Sequence, residues 1–255
     1  MSGMIQQGDI ARRLYDVAFH EAENLFVEDV RFGMSYAGVR LNGPRMGLAA
    51  LLFHEFKQGG CSVFPDAGKL AGTRASLLLR YLVEGRNPLE KALGLATANA
   101  ALHPKPAEDE RDALLIMELT PSDRAAMVGL FSPMVPKIEA TGAELSIIEK
   151  NPERMEVPSR EDREKILQEC TVAIITATTL LNDTIEEVLN DLGHPRHTAV
   201  LGPSTPLCPE AFMRTPVNHL GGSVVRDADK VMQIISEGGG ISAMRPYLRF
   251  VNLLL

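Results

Sequence analysis

Four short stretches set hydroxyl side chains just after an apolar run and just before a helical pattern. They are "GLFSPMV" with Ser132, "TATTLLND" with Thr176, Thr178, Thr179 and Asn182, "GPSTPLC" with Ser204, Thr205 and Cys208, and "GGS" with Gly221, Gly222 and Ser223. A helix start presents free backbone N–H groups and the positive end of aligned peptide dipoles, and hydroxyls add further donors. Such loops suit an anionic or polyhydroxylated ligand. Ser, Thr and Asp also cap helices with no ligand in view, so one loop alone decides nothing. Several on one sheet edge predict a binding cleft there.

Glu149 ends an apolar run 20 residues after Gly129. That is where an acidic residue holds ribose hydroxyls in a dinucleotide-binding fold. A surface carboxylate beside Lys150 is the competing reading. The first turn, "VGLFSPMV", has one glycine instead of G-x-G-x-x-G, so the standard NAD fingerprint is missing. A nucleotide-like ligand stays open.

Metal chemistry has no compact ligand set. The six histidines, His20, His54, His103, His194, His197 and His219, form neither H-x₃-H nor H-E-x-x-H, and there is no C-x-x-C. His194 and His197 flank Pro195 in a turn at the opposite sheet end. A metal site would have to be gathered from separate loops, with Cys208, His219 and Glu149 all near strand ends. Cys208 precedes Pro209 and stands at a helix N-cap, where a thiol acquires thiolate character. Three roles are open for it: buried and inert, a soft-metal ligand or cleft wall, or a nucleophile that would need a base in reach. Arg74, at a helix start, calls for an anion or carboxylate partner. Thr97 and Asn99 interrupt an apolar helix, so each needs a hydrogen-bond partner, either on a neighbouring helix or in the cleft.

These residues must be positioned by two kinds of unit. Residues 7–25 read as a helix with Leu14, Ala18 and Ala22 on one face. Strands are expected at about 28–34, 36–41 and 45–52, with Asn42-Gly43 as the hairpin turn. Two helices follow. The first stops near Gly85. The second starts at "NPLE", with Asn87 as cap, Pro88 in the first position and Glu90 placed for a capping box. This is an α+β unit over 1–102. "LHPKPAEDERD" is the linker, taken as 103–112, and "ALLIMEL" a short helix. From 113 to 255, apolar strands without alternation are each followed by an amphipathic helix. That pattern predicts a Rossmann-like unit with a parallel five-stranded sheet covered on both faces.

The 255 residues carry a net charge of −7, no Trp and 5% aromatics. An acidic chain without a Lys/Arg block or stacking platforms is ill suited to nucleic acid or anionic membrane. The start, "MSGMIQQGDIARRLYD", has no signal-peptide core, and no run of about 18 apolar residues spans a bilayer. "FVNLLL" is too short. Three widely spaced cysteines imply reduced thiols and a cytoplasmic location. The assembly state is left open, a homodimer among the options.

The stretches "VRFGMSYAGVRL", "GLATANAAL", "MVGLFSPMVPKI", "ELSIIEKNP", "TATTLLNDTIEEVL", "LGPSTPLCPEAF" and "HLGGSVVRDADKVMQIISEGGG" together resemble the heavy-metal chelation domain family. The resemblance covers nearly the whole chain. It implies an enolase-N-terminal-like first domain, a Rossmann-like C-terminal domain and an active site between them. The enolase barrel and its metal carboxylates are absent, so enolase chemistry does not carry over.

The expected function is binding of a metal ion, or of an anionic or metal-bearing small molecule, in the interdomain cleft. Ser132, Glu149, Thr178, Thr179, Asn182, Ser204, Thr205 and Cys208 are the expected contacts, with Asn99 and Arg74 from the first unit. The hydroxyls and loop amides would hold anionic groups, Glu149 a hydroxyl or cation, and Cys208 a soft or divalent metal. The alternative is an enzyme acting on a nucleotide-like or phosphorylated small molecule in the same cleft. A third option is a partner-binding protein without catalysis.

Overall fold

The computed structural model describes residues 4–52, 64, 66–102 and 109–255. Cys61, His54, His103 and most of the expected linker lie outside the described residues.

Helix α1 (Asp9–Ala22) buries Ile10, Leu14, Ala18 and Ala22, four residues apart, along one stripe. Strands β1 (Val27–Phe32), β2 (Tyr36–Leu41) and β3 (Arg45–Ala50) form an antiparallel meander. The β2–β3 turn uses Gly43 at φ 79°, and Asn42 Oδ1 accepts the Phe26 N–H at 2.7 Å. Where one helix is expected next, α2 (Ala75–Leu79) and α3 (Tyr81–Glu84) meet at Arg80. At the junction the Val83 N–H bonds the Arg80 carbonyl three residues back, and the regular four-residue bond resumes with Glu84 N–H on the same carbonyl. Helix α4 (Pro88–Ala101) begins as its sequence asks. Asn87 Oδ1 accepts the Glu90 N–H at 3.0 Å, while the Glu90 carboxylate reaches back to the Arg86 N–H at 2.7 Å.

Small residues let α4 lie directly on β3. A Cβ on Gly47 would stand 2.1 Å from the Ala96 carbonyl oxygen and 2.4 Å from the Ala100 nitrogen. Inside α4, the Thr97 hydroxyl donates to the Leu93 carbonyl at 2.7 Å. It is satisfied by its own helix, which is neither of the roles expected for it.

The second half runs α5 (Ala113–Met117), β4 (Arg124–Val128), α6 (Val135–Glu139), β5 (Glu144–Ile148), α7 (Arg160–Glu169), β6 (Val172–Thr176), α8 (Ile185–Asp191), β7 (His197–Leu201), β8 (His219–Val225), α9 (Ala228–Ser236), α10 (Ile241–Met244) and β9 (Leu248–Leu254). The strand order is β5-β4-β6-β7-β8-β9. The first five are parallel. The tail that includes "FVNLLL" adds a sixth strand, antiparallel to β8, so the expected five-stranded sheet is extended to six. The molecule is thus mixed α/β, with one mostly parallel sheet and one antiparallel sheet. Buried residues of α1, α4, β6 and β7 share one apolar cluster, so the core is continuous across the two halves. No helix among the described residues is long and apolar enough to cross a membrane.

The amino ends of the parallel strands are stitched by polar groups. Asp123 precedes β4, Thr171 precedes β6 and Arg196 precedes β7. Arg196 grips Asp123 with Nε at 3.0 Å and Nη2 at 2.8 Å, and Thr171 donates to the same carboxylate at 2.8 Å. The Arg196 ion pair, with further donors from Thr120 and Thr171, holds the Asp123 carboxyl well below the usual range against the opposing effect of burial. Nearby, His197 Nε2 meets His219 Nδ1 at 2.9 Å, and His219 Nε2 meets Asn252 Oδ1 at 2.9 Å. The Asn252 amide N–H₂ donates to the carbonyls of Asp109 and Arg111. Its oxygen is therefore the acceptor and His219 Nε2 the donor; in a neutral His219, Nδ1 then accepts from His197 Nε2–H. Burial, reinforced by its neighbours His219 and Arg196, pushes His197 down to about 4.

Candidate functional site

Winding reverses between β4 and β6, since β5 lies on the far side of β4. Open parallel sheets bind ligands at the carboxyl ends of strands flanking such a reversal. A cleft of about 170 Å³ lies there. Its floor comes from the ends of β4 (Val128 to Phe131), β5 (Ile148 to Lys150) and β6 (Thr176, Thr178, Thr179). Asn182, Thr184, Glu187 and Val188 form one wall, and Arg154 and Arg163 face them from the α7 side. Among the described residues, Leu52 lines it from the first half of the chain.

Gly129 makes the close pairing of β4 and β6 possible. Its φ is 83°, and a Cβ there would sit 2.6 Å from Thr176 Cγ2. The turn after it offers no phosphate cradle. The N–H groups of Gly129, Leu130 and Phe131 are taken by the Ile148 carbonyl, Glu149 Oε2 and Met127 Sδ. This gives the missing glycine fingerprint a structural counterpart.

Glu149 lines the cleft but is already engaged. Oε1 accepts from the N–H groups of Lys150 and Asn151 at 2.8 and 3.1 Å; Oε2 accepts from Leu130 N–H at 3.1 Å and Arg154 Nη1 at 3.0 Å. Burial would raise its pKa, but the Asn151 and Leu130 amides, the Arg154 charge and the Lys150 amide outweigh it and hold it low. The carboxylate expected to take a hydroxyl or cation instead ties the β4 and β5 loops together.

The β6 loop carries the cleft's hydroxyls. Thr176 and Thr178 share a hydrogen bond at 3.1 Å, Thr179 donates to the Thr176 carbonyl and Thr184 to Asn182 Oδ1 at 2.8 Å. Asp183, in the left-handed region at φ 56°, is ion-paired to Lys91 of α4. Three cations complete the lining. Arg154 is paired with Glu149, Arg163 Nη2 with Glu187 Oε1 at 2.5 Å, and Lys150 is exposed. Three positive side chains and two carboxylates thus line the cleft of a protein whose net charge is −7.

The expected site residues divide. Glu149, Thr178, Thr179 and Asn182 are brought together in the cleft. Ser204, Thr205, Cys208 and Asn99 are not; they form the seam between the two halves. Ser204 Oγ accepts the Ala50 N–H at 2.8 Å, and the Asn99 amide donates to the Leu48 and Ser204 carbonyls at 2.9 and 3.0 Å. Thr205 is 2% exposed. Cys208 precedes only a 3₁₀ turn, Pro209–Phe212, and burial pushes its thiol up to about 12, the reverse of an activated N-cap cysteine. Ser132 is exposed outside the cleft lining, and Arg74 lies over the Phe26 ring at 6.0 Å with Nη1 on the Glu23 carbonyl. His219 belongs to the amino-end network, so it does not join Cys208 or Glu149 at a metal. Among the described residues no cluster of three His, Cys, Asp or Glu could hold a metal ion.

Asn99→Ala is expected to cost roughly 2 kcal/mol, because two buried carbonyls lose their donor. Urea unfolding reads this as a lower midpoint at unchanged slope, while ligand affinity at the cleft stays the same.

Arg154, Arg163, Thr184 and Glu187 escaped the sequence reading. "SREDREKIL" shows only a charged amphipathic helix, and nothing in it marks which arginine turns toward the sheet.

A family model described as "Putative heavy-metal chelation" matches residues 112–254, and a second with the same description matches residues 15–102. An uncharacterized protein of Methanocaldococcus jannaschii is 24% identical over 241 residues, covering 91% of each chain. A crystal structure of a Pyrococcus horikoshii protein of unknown function is similar with a TM-score of 0.83 at 21% identity, over 96% of this chain and 100% of that one. A second, from Desulfitobacterium hafniense and also of unknown function, gives 0.79 at 23% identity, over 96% and 98%. Both come from the family of the C-terminal model, and at these identities they speak for the fold alone. With more than half of its length matched by the first model, the chain belongs to the family described as "Putative heavy-metal chelation".

Proposed function

We propose that the protein binds a small anionic molecule, of phosphorylated or nucleotide-like chemistry, in the cleft at the β4/β6 reversal. The observation that carries this is the lining: Lys150, Arg154 and Arg163 around the hydroxyls of Thr176, Thr178 and Thr184. The corner beside Glu149, where a ribose diol would be held, has its carboxylate saturated and an arginine attached, which favours an anionic group over a neutral diol. An enzyme acting on such a molecule and a receptor for it share this first step.

The cleft does not fit a soft metal held directly by side chains. Its donors are hydroxyls, one amide and two arginine-bound carboxylates, whereas soft metals select thiolate and imidazole. A metal would reach this cleft chelated by the anion itself, which is how the family's description and the lining are reconciled.

The fold supports a finer reading. The meander followed by helices agrees with an enolase-N-terminal-like unit over 1–102, and the parallel sheet with its reversal agrees with a Rossmann-like unit over 113–255. Net negative charge and three widely spaced cysteines support a cytoplasmic location and favour a small-molecule ligand over nucleic acid or membrane.

A thermal-shift panel of phosphate, pyrophosphate, nucleotides, S-adenosylmethionine, carboxylates and divalent metals tests the reading. A ligand that prefers the folded state raises the melting temperature. Phosphorylated compounds are expected to do so, and Lys150→Glu to abolish the shift. Stabilisation by divalent metals alone would sink the proposal.

A further inference from the structure

Among the described residues, Arg163 is a cleft cation with a buried donor left over. Its Nε is buried with no hydrogen-bond partner. Its Nη2 is shared between Glu187 at 2.5 Å and Asp191 at 4.0 Å. An orphaned donor is a standing cost, and a charge-assisted bond would remove it. The partner Glu187 is half exposed, its side chain at 51%. Ion pairs with such a partner are weak, because water competes for both ions. Glu187 also lines the cleft, so an anion entering there meets this carboxylate and its arginine together.

Resting on the reading above, we propose that Arg163 is the anchoring residue for a phosphate group, and that Glu187 is the partner it gives up on binding. In the resting state Nε is closed off from solvent, so the guanidinium must turn before it can use that donor. Release of Glu187 into water permits the turn. The side chain then presents Nε and an Nη together to two phosphate oxygens, the forked geometry for which arginine is suited and lysine is not. Asp191 stays beside the guanidinium. Its pKa is raised by burial in spite of the charge of Arg163, with Glu187 and Glu164 adding to the rise. This crowding of acids makes the departure of Glu187 easier.

The roles of the pair separate in one experiment. Pyrophosphate is titrated calorimetrically into wild type, Arg163→Gln, Arg163→Lys and Glu187→Gln, with folding checked by circular dichroism and melting temperature. Arg163→Gln is expected to weaken binding tenfold or more, as for loss of a charge-assisted hydrogen bond, on the order of 10- to 100-fold. Arg163→Lys is expected to restore little of it. Glu187→Gln is expected to bind more tightly than wild type, because the competing carboxylate is gone. If Glu187 merely orients the arginine for the ligand, the same variant binds more weakly, and the exchange is refuted. Equal binding by wild type and both Arg163 variants removes Arg163 from the site and leaves the cleft proposal standing. If wild type ignores pyrophosphate but is stabilised by S-adenosylmethionine, a nucleotide-like molecule without a phosphate, the phosphate anchor falls alone. If no anion binds, both proposals fall.

Discussion

Gly47→Ala is expected to destabilise the protein by about 3 kcal/mol or more, although it adds a single methyl group. The added Cβ would stand 2.1 Å from the Ala96 carbonyl oxygen, 2.4 Å from the Ala100 nitrogen and 2.9 Å from the Asn99 carbonyl carbon. All three are backbone atoms of α4, so no side-chain rotation relieves the clash. The helix must lift from β3, and lifting it pulls the Asn99 amide from the Leu48 and Ser204 carbonyls. For a chain of this length, that cost corresponds to a fall in melting temperature of roughly 10 °C. Differential scanning calorimetry measures it directly. A shift under about 2 °C would mean that the α4–β3 contact is looser than described.

Asp123→Ala is expected to cost roughly 3 kcal/mol near neutral pH. Asp123 is 6% exposed and joins the amino ends of β4, β6 and β7 through Arg196 and Thr171. Truncation takes the carboxylate from Arg196, the Thr120 N–H and the Thr171 hydroxyl, although Arg196 keeps its bonds to the Met117 and Glu118 carbonyls. Arg196 is 44% exposed on its side chain and can turn to water, which keeps the cost from rising further. The effect also depends on pH with a definite sign. The folded-state carboxyl is held below its unfolded value of about 3.9. Its contribution is therefore complete above that value and lost as pH falls below it. The stability difference between wild type and Asp123→Ala should be constant from pH 7 to 5 and shrink below pH 4. Denaturant unfolding at pH 7, 5 and 3.5 checks this, and a gap unchanged at pH 3.5 would contradict it.

Legibility differed between the two poles of the sheet and between kinds of contact. The β-runs were readable because strands buried on both faces are nearly all apolar, as Val172 to Ile175 are. The start of α4 was readable because a cap acts over three residues. Strand β9 was passed over, since an apolar tail such as "FVNLLL" has no turn signal after it. It becomes a strand by pairing with β8 from Leu248 to Leu254.

The site divided along the same line. Placing hydroxyls after strands pointed to the β6 loop, whose Thr178 and Thr179 do line the cleft, because the period of strand and helix fixes which residues fall at the carboxyl edge. It could not separate the β6 loop from the β7 loop. Both set hydroxyls just after an apolar strand, yet Thr178 lines the cleft while Ser204 is consumed by Ala50 and Asn99. Cys208 was legible as a residue before a helical turn. That burial pushes its thiol up, against the lowering effect of the Ala211 N–H, depends on the core that closes around it.

The sequence by itself determined the alternation of strand and helix up to β8, the five parallel strands and the want of a dinucleotide fingerprint, because these rest on local periodicity and spacing. Only the tertiary structure decided where the winding reverses, and so which strand ends open into a cleft. It also decided which polar residues are consumed at the seam. It turned Arg163 of α7 toward Glu187 of α8, 24 residues away in the chain. Contacts of that separation are set by how helices pack over a sheet, and no local pattern records them.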